Sequence, residues 1–95
     1  MIKGTTKNGF AFEVSEGIGN DFRVLEAIAD ADSADASANL RGTVALVRLL
    51  LGEKGKERLY RHLQTDSGEV PSGAVIDTVA EIVTIVKDMR PEVKN

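Results

Sequence analysis

Cysteine and tryptophan are both absent from the chain. Without cysteine there is no disulfide to brace a small domain and no thiolate for a metal. That absence suits an intracellular protein. The aromatics are Phe10, Phe12, Phe22 and Tyr60. So few leave an aliphatic core and little from which to build a base-stacking platform. One histidine is present, His62, with Arg61 and Leu63 beside it and Arg58 one turn before. Zinc sites, Ser–His–Asp triads and histidine general bases all need partners that this neighbourhood does not supply. The apolar runs are too short to cross a membrane, and Met1-Ile2-Lys3-Gly4-Thr5 is no apolar signal segment. The expectation is a soluble, cytoplasmic protein without a membrane partner.

The remaining chemical motifs are fragments. Asp30, Asp32 and Asp35 form a loose acidic group without the Gly and distal Glu of a calcium loop. Gly52-Glu53-Lys54-Gly55-Lys56 lacks the spacing and the preceding strand of a phosphate-binding loop. No catalytic residue, metal or cofactor is expected.

At 95 residues the chain makes a single domain, 1–95, of modest stability. Its net charge of −3 argues against nonspecific binding to nucleic acid, but the charge is unevenly spread. Residues 1–35 hold three Lys/Arg against seven Asp/Glu. Residues 36–65 hold six against two, and residues 66–95 three against six. A basic middle between acidic ends can fold back on itself, stack head to tail with copies of itself, or simply be solvated.

Residues 1–14 read as a β-hairpin. Phe10, Phe12 and Val14 alternate and share a face, and Asn8-Gly9 suits a two-residue turn with positive φ at both positions. A lone hairpin is marginal, so the Phe face must pack on helices, or its edge must pair with another chain. Residues 20–89 read as a helical body. A first helix runs from an Asn20 or Asp21 cap to about Ala31, with Phe22, Leu25, Ile28 and Ala29 as its apolar face. The central helix covers about 40–51, capped by Asn39 and stopped by Gly52. A third follows over Glu53 to Gln64, with Leu59, Tyr60 and Leu63 inward. The turn Thr65-Asp66-Ser67-Gly68 leads to a last helix from a Ser72 cap to Met89, and residues 90–95 are a frayed tail. The fold class is therefore mainly α (α+β): a short N-terminal hairpin packed on a four-helix cluster.

The central helix is apolar nearly all round. Leu40, Val44, Val47 and Leu51 form one stripe, Leu46 and Leu50 flank it, and Leu49 points almost the opposite way. Such a helix must be covered from several directions. The last helix also carries more apolar surface than one core needs. These surpluses make Leu46, Leu49, Ile85 and Met89 candidates for an interface with a client or another copy, together with the hairpin edge at Phe10, Phe12 and Val14. A helix-turn-helix reading would instead use Lys54, Lys56, Arg58 and Arg61 on DNA. Against it, the preceding helix is too apolar to lie across a phosphate backbone.

The order Phe10-x-Phe12-x-Val14, Asp21-Phe22-x-x-Leu25-Glu26, Leu49-Leu50-Leu51-Gly52, Leu59-x-x-His62-Leu63 and Gly68-x-Val70 resembles the small tail assembly chaperones of long-tailed bacteriophages and prophages. The resemblance spans about Phe10 to Met89. It implies a non-enzymatic, self-associating protein of the host bacterial cytoplasm. Such a protein coats the helical, aggregation-prone tape measure protein during tail assembly and leaves before completion, with the major tail protein as a further partner. The alternatives are a DNA-binding transcriptional regulator and a structural subunit that stays in the tail or another assembly.

Overall fold

Gly52 divides the longest helical stretch of the molecule. In this computed structural model, which describes residues 1–89, helix α2 (Ala36–Leu63) is interrupted there by φ 72° and ψ 177°. Only glycine occupies that backbone region without strain. The arms 36–51 and 53–63 are thus separate rods, as the Gly52 stop predicts. Apart from its chain neighbours and its own helix backbone, nothing stands within 4 Å of where a Cβ on Gly52 would lie. Gly52→Ala is therefore expected to cost about 1–3 kcal/mol through the backbone alone, measured as a fall in the urea midpoint. A D-alanine introduced by chemical synthesis relieves most of that loss, because the mirror-image conformation is one that L-residues adopt readily.

Strands β1 (Ile2–Thr5) and β2 (Ala11–Val14) pair antiparallel, with Ile2 opposite Val14 and Gly4 opposite Phe12. The hairpin is as expected; its turn is not. The Gly9 N–H donates to the Thr6 carbonyl (2.9 Å) and the Thr6 N–H to the Phe10 carbonyl (2.9 Å). Only Gly9 takes positive φ, 87°. This is a three-residue connection closed by a glycine bulge, rather than a two-residue turn. Asn8 need not be left-handed, because its side chain is engaged with Thr6 Oγ1 and with Thr78 Oγ1.

A single-turn 3₁₀ helix, Glu16–Asn20, replaces the expected link and buries Ile18. Helix α1 (Phe22–Ala31) follows, capped by Asp21, whose carboxylate accepts from the Arg23 N–H at 2.9 Å. Its inner face departs from expectation. Val24 and Ala27 are buried and Ile28 and Ala31 pack against them, whereas Phe22, Leu25 and Ala29 face out. The cause lies on α2. A Cβ on Gly42 would stand 2.3 Å from the Ala31 nitrogen and 2.7 Å from the Ala27 carbonyl oxygen. The two backbones touch, so α1 must turn its small residues, Ala27 and Ala31, toward Gly42.

Helix α2 also begins earlier than Asn39. Asp35 caps it, accepting from the Ser37 N–H at 2.9 Å. Asn39 instead donates from its side chain to the Ala31 carbonyl, satisfying an orphan acceptor at the end of α1. Helix α3 (Ser72–Met89) completes the fold, its first turn accepting at the Pro71 carbonyl from the Val75 N–H (3.2 Å) rather than at Ser72.

The core runs between these layers. Ile2, Phe10, Phe12 and Val14 of the hairpin meet Leu46, Val47, Leu50 and Leu59 of α2 and Val79, Ile82 and Val86 of α3. The Phe12 ring lies over Gly4, where a Cβ would come within 2.7 Å of it and 3.3 Å of the Ile85 side chain. The architecture is therefore mainly α with an N-terminal hairpin. The frayed tail expected at 90–95 lies outside the described residues.

Candidate interaction surface

The proposed interface residues divide sharply by burial. Phe10, Phe12, Val14 and Leu46 are core, each under 5 % exposed, and offer nothing to a partner in this fold. Leu49 and Ile85 are half-buried against that core. The side chain of Met89 lies outside the described residues. The reason is geometric. The hairpin lays its Phe face on α2 and α3, and Leu46 points between α1 and α3.

Apolar surface is nevertheless exposed, at other positions. Phe22 is 75 % exposed, Leu40 64 %, Leu25 52 % and Ile76 45 %. Leu40 and Ile76 rim a furrow between the first arm of α2 and α3. One hollow of about 190 Å³ is lined by Leu40, Val44, Tyr60, Val75 and Ile76. A second, about 230 Å³, continues past Thr43 and Ile76 to Ile28, Val79 and Val83. Each exceeds the roughly 30 Å³ share of one water several-fold and has mostly apolar walls. The furrow can take side chains from the apolar face of a helix.

The sequence reading missed these residues because helical periodicity shows how many apolar arcs a helix has, not which one is covered. A usable signal was present. Ala27 and Ala31 stand at i, i+4 opposite a mid-helix glycine, which marks the contact face of α1 and leaves Phe22 and Leu25 on the other side.

The basic residues do not form a free stripe. Arg58 donates to the Ala11 carbonyl (2.6 Å) and its guanidinium lies 5.1 Å from the Phe10 ring centroid. Lys56 is half-buried, pairs with Glu53 at 3.1 Å and sits 6.0 Å from the Tyr60 ring centroid. Lys54 and Arg61 are exposed. His62 belongs to the same structural group. Its Nε2 donates to the Asn8 carbonyl (2.9 Å), and its ring packs at 5.6 Å on Phe10. Across the turn, Glu81 of α3 accepts from the Lys7 N–H at 2.8 Å. The hairpin turn is thus held from two sides, by the second arm of α2 and by α3.

Two carboxylates are held below their ordinary range. Hydrogen bonds from the Arg23 side chain, then from its backbone N–H, do so for Asp21. A hydrogen bond from the N-terminal ammonium and its charge do so for Glu16. A lowered carboxylate supports the folded state at neutral pH. That support is lost as pH falls through the lowered value, so the α1 cap survives mild acid.

Among the described residues, no three of the His, Asp and Glu side chains cluster closely enough to hold a metal ion, and no helix is long and apolar enough to cross a membrane. Compared with family models, with curated proteins and with solved structures, the chain matches none.

Proposed function

We propose that this protein is a tail assembly chaperone of a long-tailed bacteriophage or prophage, acting in the host cytoplasm. It binds an amphipathic helical segment of the tape measure protein in the furrow between α2 and α3 and shields it, without catalysis, until the tail tube forms. The observation that carries the reading is the furrow itself, apolar and rimmed by the exposed Leu40 and Ile76. A long helical client is periodic, so one furrow per copy suffices if many copies bind along it. Affinity per copy stays modest, release remains feasible, and avidity comes from self-association. The resemblance in motif order from Phe10 to Met89 supplies the identity of the client and names the major tail protein as the next partner in assembly.

The test is co-expression with a tape measure protein, expected to be the long helical protein encoded next to this gene. The native chain is expected to keep the client soluble and to co-purify with it. Leu40→Asp and Ile76→Asp are expected to weaken capture by about tenfold or more, since each puts a carboxylate into an apolar contact. Both sites are exposed, so the variants keep the native helical circular dichroism. Client that stays insoluble with the native chain, or capture that ignores both substitutions, overturns the reading.

A further inference from the structure

Where the hairpin turn meets the end of α2, the surface carries a separate hollow of about 380 Å³. Gly9, Phe10 and Ala11 of the hairpin line it, with Arg58, Arg61 and His62 of the second α2 arm. None of these residues is acidic. The ion pairs among the described residues are Met1–Glu16, Lys3–Glu13, Arg23–Asp21, Arg48–Glu53 and Lys56–Glu53. Neither Arg58 nor Arg61 takes part in any of them. Glu57, one turn before Arg61, is exposed and does not line the hollow. In a chain of net charge −3, basic side chains converge here without a carboxylate among them.

Two of the three basic groups are already fixed. Arg58 is tied at Nη2 to the Ala11 carbonyl (2.6 Å), and its guanidinium lies against the Phe10 ring. That bond uses one N–H, so the rest of the fork keeps donors for a ligand. His62 is tied at Nε2 to the Asn8 carbonyl and packs on the same ring. A side chain held beforehand loses less entropy when it binds. Arg61 is exposed and can swing over the opening. The residue nearest the edge of the His62 ring is Gly9, which has no side chain to fill the space.

We propose that this hollow binds the phosphoryl group of a small phosphate monoester, held by the guanidinium groups of Arg58 and Arg61 with His62 alongside. Planar guanidinium forks match the oxygens of a phosphoryl dianion, and the resulting charge-assisted hydrogen bonds are stronger than neutral ones. A carboxylate, with a single charge, engages two guanidinium groups less well. A nucleic-acid strand is also the poorer fit. It needs cations along its backbone and aromatic faces for its bases. Here Phe10 is buried, Lys56 is paired with Glu53, and the net negative charge repels a polyanion.

Arg61 and His62 also stand in the last turn of α2, where they offset its negative end. That role alone gives phosphate nothing to do, so the two roles separate by experiment. The hollow shares no lining residue with the Leu40–Ile76 furrow. The phosphate site therefore rests on neither the furrow nor its client. A ligand that bridges Arg58 and Arg61 beside the hairpin binds only the folded chain and stabilises it.

The experiment titrates the full chain with inorganic phosphate, and separately with glycerol 2-phosphate, at fixed pH with chloride holding the ionic strength constant. His62 is the sole histidine, so its ring-proton resonances report on the hollow directly. Both probes are expected to move those resonances to saturation in the millimolar range. Arg61→Gln is expected to weaken binding by about tenfold or more, because a charged hydrogen-bond donor is lost. Lys54→Gln removes the same charge outside the hollow and is expected to change binding by less than about twofold. Both positions are exposed, so native circular dichroism accompanies each result. A shift that never saturates, equal losses in the two variants, or an Arg61→Gln variant that loses stability but responds to phosphate as the native chain does overturns the proposal. So does binding of inorganic phosphate without the ester. Displacement of bound phosphate by a single-stranded oligonucleotide that has no terminal phosphate overturns it as well, and assigns the basic residues to nucleic acid. Client capture is read separately through Leu40 and Ile76, so failure of either proposal is distinguishable from failure of the other.

Discussion

Gly42→Ala is expected to destabilise the fold by about 3 kcal/mol or more, a large share of what a domain of this size has. The added methyl would stand 2.3 Å from the Ala31 nitrogen, 2.7 Å from the Ala27 carbonyl oxygen and 2.7 Å from the Asp30 carbonyl carbon. All three are backbone atoms of α1. A flexible side chain could swing away, but here the whole helix must move. Moving it uncovers Val24 and Leu46, which are buried. It also strains the hydrogen bond from Asn39 to the Ala31 carbonyl. The measurement is urea unfolding followed by circular dichroism. Gly73→Ala is the control: nothing beyond its own helix backbone and chain neighbours lies within 4 Å of its added methyl. Alanine is the better helix former, so that change is expected to be neutral or to stabilise by up to about 1 kcal/mol. Equal midpoints for the two variants would mean that α1 does not pack on α2 as described.

Phe12→Ala is expected to cost about 3–5 kcal/mol, the range for emptying an aromatic site in a core. Phe12 is 2 % exposed. It fills the space that Gly4 leaves beside it, within reach of Ile85 on α3. Its loss opens a cavity at the junction of the hairpin with the helices, which the paired strands cannot collapse to fill. The contrast is with Leu40→Ala, on the exposed rim of the furrow, which is expected to change stability by no more than about 0.5 kcal/mol. The pair separates packing from recognition. Phe12→Ala lowers the unfolding midpoint, whereas Leu40→Ala leaves it in place and weakens client capture. A stably folded Phe12→Ala variant would return the hairpin's aromatic face to the list of contact surfaces.

Local chemistry was legible wherever one residue decides the backbone by itself. Gly52 ends a rod because a positive φ needs no partner. Asp21 caps α1 through a carboxylate two bonds from its own backbone, and the alternation of Phe10, Phe12 and Val14 marks one face of a strand. Sequence alone misplaces the start of α2 because Asp35, Ser37 and Asn39 all have capping chemistry. Which one caps depends on where Asn39 finds its acceptor, and that acceptor belongs to α1. The hairpin turn was misread for the same reason: Asn8 is committed to Thr78, seventy residues away.

The order and kind of the strands and α-helices, the break at Gly52 and the uneven spread of charge were determined by the sequence alone, because each depends on neighbours along the chain. The choice of which apolar arc is covered belonged to the tertiary structure. Gly42 admits only the small face of α1, and that single close approach turns Phe22 and Leu25 outward. The hairpin takes the space beside α2 and α3, which buries Phe10 and Phe12, while α1 and α3 cover Leu46 and leave Leu40 and Ile76 at the rim. Periodicity assigns a residue to a face, but only packing against a particular partner decides whether that face meets protein or water.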